Sequence, residues 1–172
     1  GFKVKKIDPN SRLFNKQLGG GAILDLGCYP LSFISLFNDN KNNFKFKSFS
    51  GKICRTNVDT AASADILINN KINCKIKVSL QENLNNNSII YGSKGNLIVS
   101  SPWLPEKDAF LEIVTETRSY KIFINSELSI YANQIKNISD QFLKKKNGNL
   151  KLFKISESLE NMKYLDYWIK GI

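Results

Sequence analysis

The stretch Gly19-Gly20-Gly21-Ala22-Ile23-Leu24-Asp25-Leu26-Gly27-Cys28-Tyr29-Pro30-Leu31-Ser32-Phe33-Ile34-Ser35-Leu36-Phe37 decides how this chain is read. It is too long and too apolar for a surface segment, which predicts a mostly buried helix. Pro30 supplies no backbone N–H and crowds the preceding turn, so the helix is expected to kink or restart near Cys28-Tyr29. A buried helix needs a sheet to lie on, and the downstream sequence supplies one. From Phe44 to Ile124 the apolar residues recur at every second position. Phe44 and Phe46 come first, then Ala62, Ala64, Ile66 and Ile68, then Ile72, Cys74, Ile76, Val78 and Leu80, with Asn69-Asn70 as the turn between the last two runs.

The alternation continues through Ser88-Ile89-Ile90-Tyr91, a Gly92-Ser93-Lys94-Gly95 turn and Asn96-Leu97-Ile98-Val99. It resumes after the Pro102-Trp103-Leu104-Pro105 loop as a hairpin over 109–115 and 118–124. A helical period then returns, with Ile130, Ala132, Ile135, Ile138, Phe142 and Leu143 on one face. After an Asn147-Gly148 break come Leu159, Met162, Leu165 and Trp168-Ile169. At the other end, residues 2–7 alternate apolar and basic, which predicts a strand stopped by Asp8-Pro9-Asn10-Ser11. Strands in the middle and helices at both ends predict α+β: one large open, mostly antiparallel sheet with helices packed on one face, in a single domain spanning 1–172. An apolar second face would call for a partner subunit.

A net charge of +10 would suit a nucleic-acid binder, but its distribution argues against one. Only Arg12, Arg55 and Arg118 are arginine, the residue that reads bases bidentately, and the lysines are spread along strands and helices. The one dense run, Lys144-Lys145-Lys146, reads as a solvated helix end. No apolar run is expected to reach the ~20 residues of a membrane span, and the N-terminus lacks the basic-then-apolar order of a signal peptide. Cys28, Cys54 and Cys74 are odd in number, widely spaced and unaccompanied by histidine, which excludes a disulfide framework and a zinc set and points to a reduced, cytoplasmic setting.

With no histidine in the chain, proton transfer at neutral pH falls to Tyr, Lys, Cys or a carboxylate. Asp25 and Tyr29 stand four residues apart, which on an α-helix places a carboxylate and a phenol on one face. On residue chemistry alone the simpler reading is a buried tyrosine bonded to Asp25, because a phenol with a pKa near ~10 is a poor proton donor unless a neighbouring cation lowers it. The triple glycine lacks the G-x-G-x-x-G spacing and a β-α-β context, which favours close backbone packing over a phosphate cradle.

The run Ser11-Arg12-Leu13-Phe14-Asn15-Lys16-Gln17-Leu18-Gly19-Gly20-Gly21-Ala22-Ile23-Leu24-Asp25-Leu26-Gly27-Cys28-Tyr29-Pro30 closely resembles the Gfo/Idh/MocA oxidoreductases, through Arg followed by G-G-G-x-L/I-x-D-x-G-x-Y-P. Asn57-Val58-Asp59-Thr60-Ala61-Ala62-Ser63-Ala64 is similar to that family's V-D-x-x-A strand, Ile90-Tyr91-Gly92-Ser93-Lys94-Gly95-Asn96-Leu97 to its G-T/S-K-G turn, and Ser156-Glu157-Ser158-Leu159-Glu160-Asn161-Met162 to its closing helix. The resemblance implies the C-terminal substrate-binding and oligomerisation domain of a NAD- or NADP-dependent dehydrogenase, in the branch acting on dihydrodiols, xylose or glucose-fructose. The nucleotide-binding domain and its E-K-P lysine would lie upstream, so the chain is expected to be a fragment, inactive alone. Tyr29 is then the acid/base and Asp25 its partner at the reacting carbon. Arg12 contacts substrate or cofactor phosphate, or else forms a surface ion pair. Trp103 walls the pocket of a sugar or diol substrate, or else merely packs. A non-catalytic assembly module, pairing copies through the sheet face, is the alternative.

Overall fold

The computed structural model describes residues 1–37, 44–105, 107–143 and 153–172. Lys144-Lys145-Lys146 and the Asn147-Gly148 break lie outside them. The chain divides into two compact units, Gly1–Asn85 with Lys154–Ile172, and Asn86–Phe153.

In the first unit, β1 (Phe44–Ile53), β2 (Asp59–Ile68) and β3 (Ile72–Ser79) form an antiparallel sheet in the order β1-β2-β3. The period-two reading holds here. Ala62, Ala64, Ile66 and Ile68 of β2 and Ile76 and Val78 of β3 are buried, and the register sets Ala62 opposite Val78 and Ala64 opposite Ile76. Asn69 and Asn70 both have positive φ, and the Lys71 N–H closes the turn on the Ile68 carbonyl, the mirror-image turn whose twist matches a hairpin. A bulge between Phe46 and Ser48 resets the alternation of β1, so that Phe46 and Phe49 stack at 5.2 Å on the buried side. The outer face is polar: Ser50 and Ser63 share a hydroxyl hydrogen bond of 2.8 Å, and Ser48 donates to Asp65 at 2.7 Å.

Two helices cover the inner face. The first follows a π segment, Ile23–Gly27, and becomes regular as α1, Cys28–Ser35, so the restart expected near Cys28-Tyr29 is present. Pro30 gives no N–H to the carbonyl four residues back, and the wide turn lies directly before it. By length and a mean hydropathy of 1.2, Lys16–Ser35 is long and apolar enough to cross a membrane, against the expectation that no run reaches that length. Within it Ala22, Ile23, Leu31 and Ile34 are buried in the core beside the sheet, while Leu18 and Tyr29 are exposed. The closing helix, Ile155–Lys170, buries Leu165 and Trp168, while Leu159 and Met162, expected on the same stripe, are exposed. Its aromatic side meets β1, with Phe44 4.8 Å from Tyr164 and Phe46 5.3 Å from Tyr167.

The strand expected over 2–7 is not formed. Phe2 and Val4 donate to the Ser79 and Leu80 carbonyls, but a bend at Lys5-Lys6 then lifts the chain away. Val4 and Ile7 therefore reach the core at a spacing of three rather than two.

The second unit holds β4 (Ser88–Gly92), β5 (Gly95–Val99), β6 (Phe110–Val114) and β7 (Ser119–Phe123), paired antiparallel in sequence order, and α2 (Ile130–Phe142). Ser129 caps α2 by accepting from the Ala132 N–H. The chain is thus α+β and antiparallel as expected, with its strands hydrogen-bonded in two sheets rather than one. The asparagine-rich segment after Glu82, low in β-propensity, carries no ladder between them.

Candidate active site

The site is built on the π segment and the first turn of α1. Arg12 opens a short 3-10 turn, Arg12–Phe14, anchored by the almost wholly buried Phe14, which leaves the guanidinium outside. Its Nη2 donates to Asp25 Oδ1 at 2.6 Å, an ion pair with an exposed arginine and a carboxylate whose side chain keeps 15% of its surface. The spacing of four between Asp25 and Tyr29 pointed to a shared α-helical face. A π turn bonds i to i+5, so that face is not kept in register here, and the ion pair of Asp25 is with Arg12. Tyr29 is 49% exposed, which overturns the reading of a buried core phenol. It stands at the surface of the first turn of α1, one residue before a proline.

The glycines hold this arrangement by close packing. A Cβ on Gly20 would lie 2.7 Å from the Arg12 carbonyl and 2.8 Å from the Asn15 nitrogen, and one on Gly27 would meet Leu165 at 3.0 Å and Trp168 at 3.2 Å. Gly21 has φ +121°, and a Cβ there would lie 2.2 Å from Asp59 Oδ1. Asp59 occupies that space: its Oδ2 accepts the Ile23 N–H at 2.7 Å at the start of the π segment, and it is only 5% exposed. Burial pushes the Asp59 carboxyl up, while the Ile23, Asp59 and Ala22 amides pull the other way.

A second tie lies one helix over. Asn161 Nδ2 donates to the Cys28 carbonyl at 3.0 Å and to Ser32 Oγ at 2.6 Å, joining the closing helix to α1 at the peptide that precedes Tyr29. Cys28 itself is partly buried, its thiol pushed up by that burial, and it fills space against the core. Sequence reasoning put neither Asp59 nor Asn161 in the site. The signal for Asp59 was available as a carboxylate inside the apolar run Val58-Asp59-Thr60-Ala61-Ala62. Asn161 had none, because its partners lie more than a hundred residues away. Trp103 belongs to the second unit, in a turn closed by the Leu104 N–H on the Ser101 carbonyl, and is no part of the geometry just described.

No family model matches the chain. It is 32% identical over 107 residues to the trans-1,2-dihydrobenzene-1,2-diol dehydrogenase of Xenopus tropicalis, covering 61% of this chain and 31% of that protein. It is 27% identical over 118 residues to the oxidoreductase ORF334 of Rhizobium meliloti, covering 69% and 35%. The chain thus spans about a third of the length of the curated relatives it matches. Among solved structures it superposes on KijD10, a 3-ketoreductase from Actinomadura kijaniata in complex with NADP and TDP-benzene, with a TM-score of 0.80 at 18% identity, over 99% of this chain and 51% of that one. A NAD-binding protein from Listeria innocua gives 0.64 at 18% identity, over 99% and 50%. At these identities the structures show the fold alone. The resemblance to the Gfo/Idh/MocA oxidoreductases holds in sequence and in fold.

Proposed function

We propose that this chain is the substrate-side domain, C-terminal in its parent, of a nicotinamide-dependent oxidoreductase of the Gfo/Idh/MocA kind. It acts on a sugar, a sugar derivative or a diol, with Tyr29 as acid/base. The observation that carries the reading is Tyr29, half-exposed on the first turn of α1 directly after the segment that holds the Arg12–Asp25 ion pair. The names of the relatives support the chemistry: a diol dehydrogenase by sequence and a ketoreductase holding NADP by fold.

The described strands pair antiparallel and none is part of a β-α-β unit, so the dinucleotide is assigned to an N-terminal domain of the parent. What these residues offer NAD or NADP fits its edge: a guanidinium at Arg12 for phosphate or substrate, and a phenol at Tyr29 beside the reacting carbon. The nicotinamide, when bound, exchanges the hydride. In oxidation Tyr29 Oη takes the proton of the substrate hydroxyl while that carbon gives up its hydride, and in reduction it returns the proton to the carbonyl oxygen. Asp25, paired with Arg12 at 2.6 Å, is proposed as the partner of Tyr29 at the reacting carbon. A cation must favour the tyrosinate, and the resemblance assigns that to the E-K-P lysine of the parent. The unpaired Cys28, Cys54 and Cys74 suit a reducing compartment, in keeping with a cytoplasmic enzyme.

The second sheet supports a homo-oligomer. Its register puts Ile90, Leu97, Ile113 and Tyr120 in one row, and Val99, Leu111 and Ile122 in the next, on a single face that stays partly open to solvent. A second copy is proposed to cover it.

The test is hydride transfer by the longer protein that carries this chain, comparing wild type with Tyr29→Phe. The substrates are trans-1,2-dihydrobenzene-1,2-diol and a panel of aldoses with NAD and NADP. Turnover by wild type alone upholds the acid/base. Equal activity, or none from either, sinks the assignment and leaves the assembly module as the better reading.

A further inference from the structure

The π segment that carries Asp25 and leads into Tyr29 has no local cap. The residue before it, Ala22, offers no side-chain oxygen to the first amides of the segment. The missing acceptor comes from the sheet. Asp59, the first residue of β2, is 5% exposed and places Oδ2 2.7 Å from the Ile23 nitrogen. Its other oxygen fills the position where a Cβ on residue 21 would stand, at 2.2 Å, so the bare Gly21 at φ +121° and the carboxylate are built for each other. β2 is the central strand, paired with β1 on one side and β3 on the other, and its residues Asp59–Ala62 are all buried. Asp59 therefore ties the uncapped start of the π segment to the central strand of the sheet. Two residues beyond Ile23 stands Asp25 on Arg12, and the next turn presents Tyr29.

We propose that Asp59 is a positioning residue of the oxidoreductase site: seated in the space left by Gly21, it holds the Ile23 amide and so sets where Asp25 meets Arg12 and how Tyr29 leaves the helix. The proposal rests on the acid/base reading of Tyr29 for its catalytic consequence, and on the geometry alone for its structural one. A displacement of the acid/base by about 1 Å costs up to about 100-fold in rate without changing how the remote parts of substrate or cofactor bind. Asp59 is 5% exposed and its oxygens face the Ile23 amide and the space at Gly21, so its effect is expected on kcat and not on KM.

The experiment uses the longer protein that carries this chain, with Asp59→Ala and Asp59→Asn. With NADP and trans-1,2-dihydrobenzene-1,2-diol, Asp59→Ala is expected to lower kcat by about 10-fold to 100-fold while KM for NADP stays within about twofold. Asp59→Asn, whose amide oxygen still accepts from Ile23, is expected to recover most of the loss. In protein labelled with 3-fluorotyrosine, the 19F resonance that Tyr29→Phe removes is expected to shift in Asp59→Ala and to lie closer to wild type in Asp59→Asn. If Asp59→Ala does not fold, the same split and the same resonance are read on Asp59→Asn, with smaller changes expected. A kcat within about twofold of wild type once corrected for folded protein, together with an unmoved resonance, overturns the proposal and leaves Asp59 as a stabilising cap. Full activity of Tyr29→Phe would instead remove the acid/base reading, and the fluorine resonance would still decide for or against Asp59.

Discussion

The first unit lays helices on three strands and buries Trp168, Phe14 and Ile66 almost completely, whereas in the second, four strands and α2 bury Ala109 alone among the described apolar residues. The same contrast runs through their outer surfaces. In the first, the face turned from the helices is finished for water by Ser50, Ser63, Ser48 and Asp65, which bond to one another. In the second, Ile122, Phe123, Ile135 and Phe142 are all exposed. Apolar area left open on this scale marks a surface made to be covered. The difference fits the proposed division of labour, a well-buried unit carrying the candidate site and a sheet whose apolar face a second copy would cover.

The largest effect that sharpens the contrast is expected at Trp168. Its indole is wholly buried beneath Gly27, and truncation to Ala should cost about 3–5 kcal/mol of unfolding free energy, measured by denaturant titration of the parent. Trp168→Phe should cost markedly less, because it also removes an Nε1–H that finds no acceptor among the described residues. Equal losses would mean that a smaller ring recovers nothing and that the Nε1–H is bonded rather than orphaned.

Next in size is Ile113→Glu on the open face of the second sheet. A charge in a covered apolar row should weaken assembly by about 2 kcal/mol or more, roughly 30-fold in the dissociation constant by sedimentation, while barely altering the stability of the separated subunit. If the subunit unfolds instead, that face is covered within the chain and the contrast between the units breaks.

The smallest is a slope with pH. Burial raises the Asp59 carboxyl, so the folded protein keeps this proton to higher pH than the unfolded chain does. Its contribution is full below the ordinary aspartate range and is lost as pH rises through the raised value. Wild-type stability measured relative to Asp59→Asn should therefore decline across that window and then level off. A difference that rises with pH would show the amides, rather than burial, to dominate.

Much of the first unit was legible because its signals are local. Asn69-Asn70 specifies a turn by its tolerance of positive φ, the alternation from Ala62 to Ile68 names the buried face, and Pro30 marks the break in its own helix. The candidate site was legible in part. Arg12, Asp25 and Tyr29 lie in one short motif, and of the two readings of Arg12 the structure shows the ion pair, with Asp25 as its partner across the π segment. Asp59 and Asn161 escaped notice as site residues because each acts on a backbone group far away in sequence. The strand expected over 2–7 failed for the opposite reason: its alternation was real, but a bend at Lys5-Lys6 and one-sided pairing outweighed it.

By itself the amino-acid order determined the α+β class, the antiparallel hairpins, the break before Pro30 and the motif shared with oxidoreductases, since period, turn chemistry and a missing N–H are properties of neighbours along the chain. Only the tertiary structure decided that Gly21 makes room for the Asp59 carboxylate and that Tyr29 stands at the surface. It alone also decided that the strands part into one covered sheet and one open sheet. Those outcomes depend on which distant atoms compete for the same few cubic ångströms, and no local pattern encodes that competition.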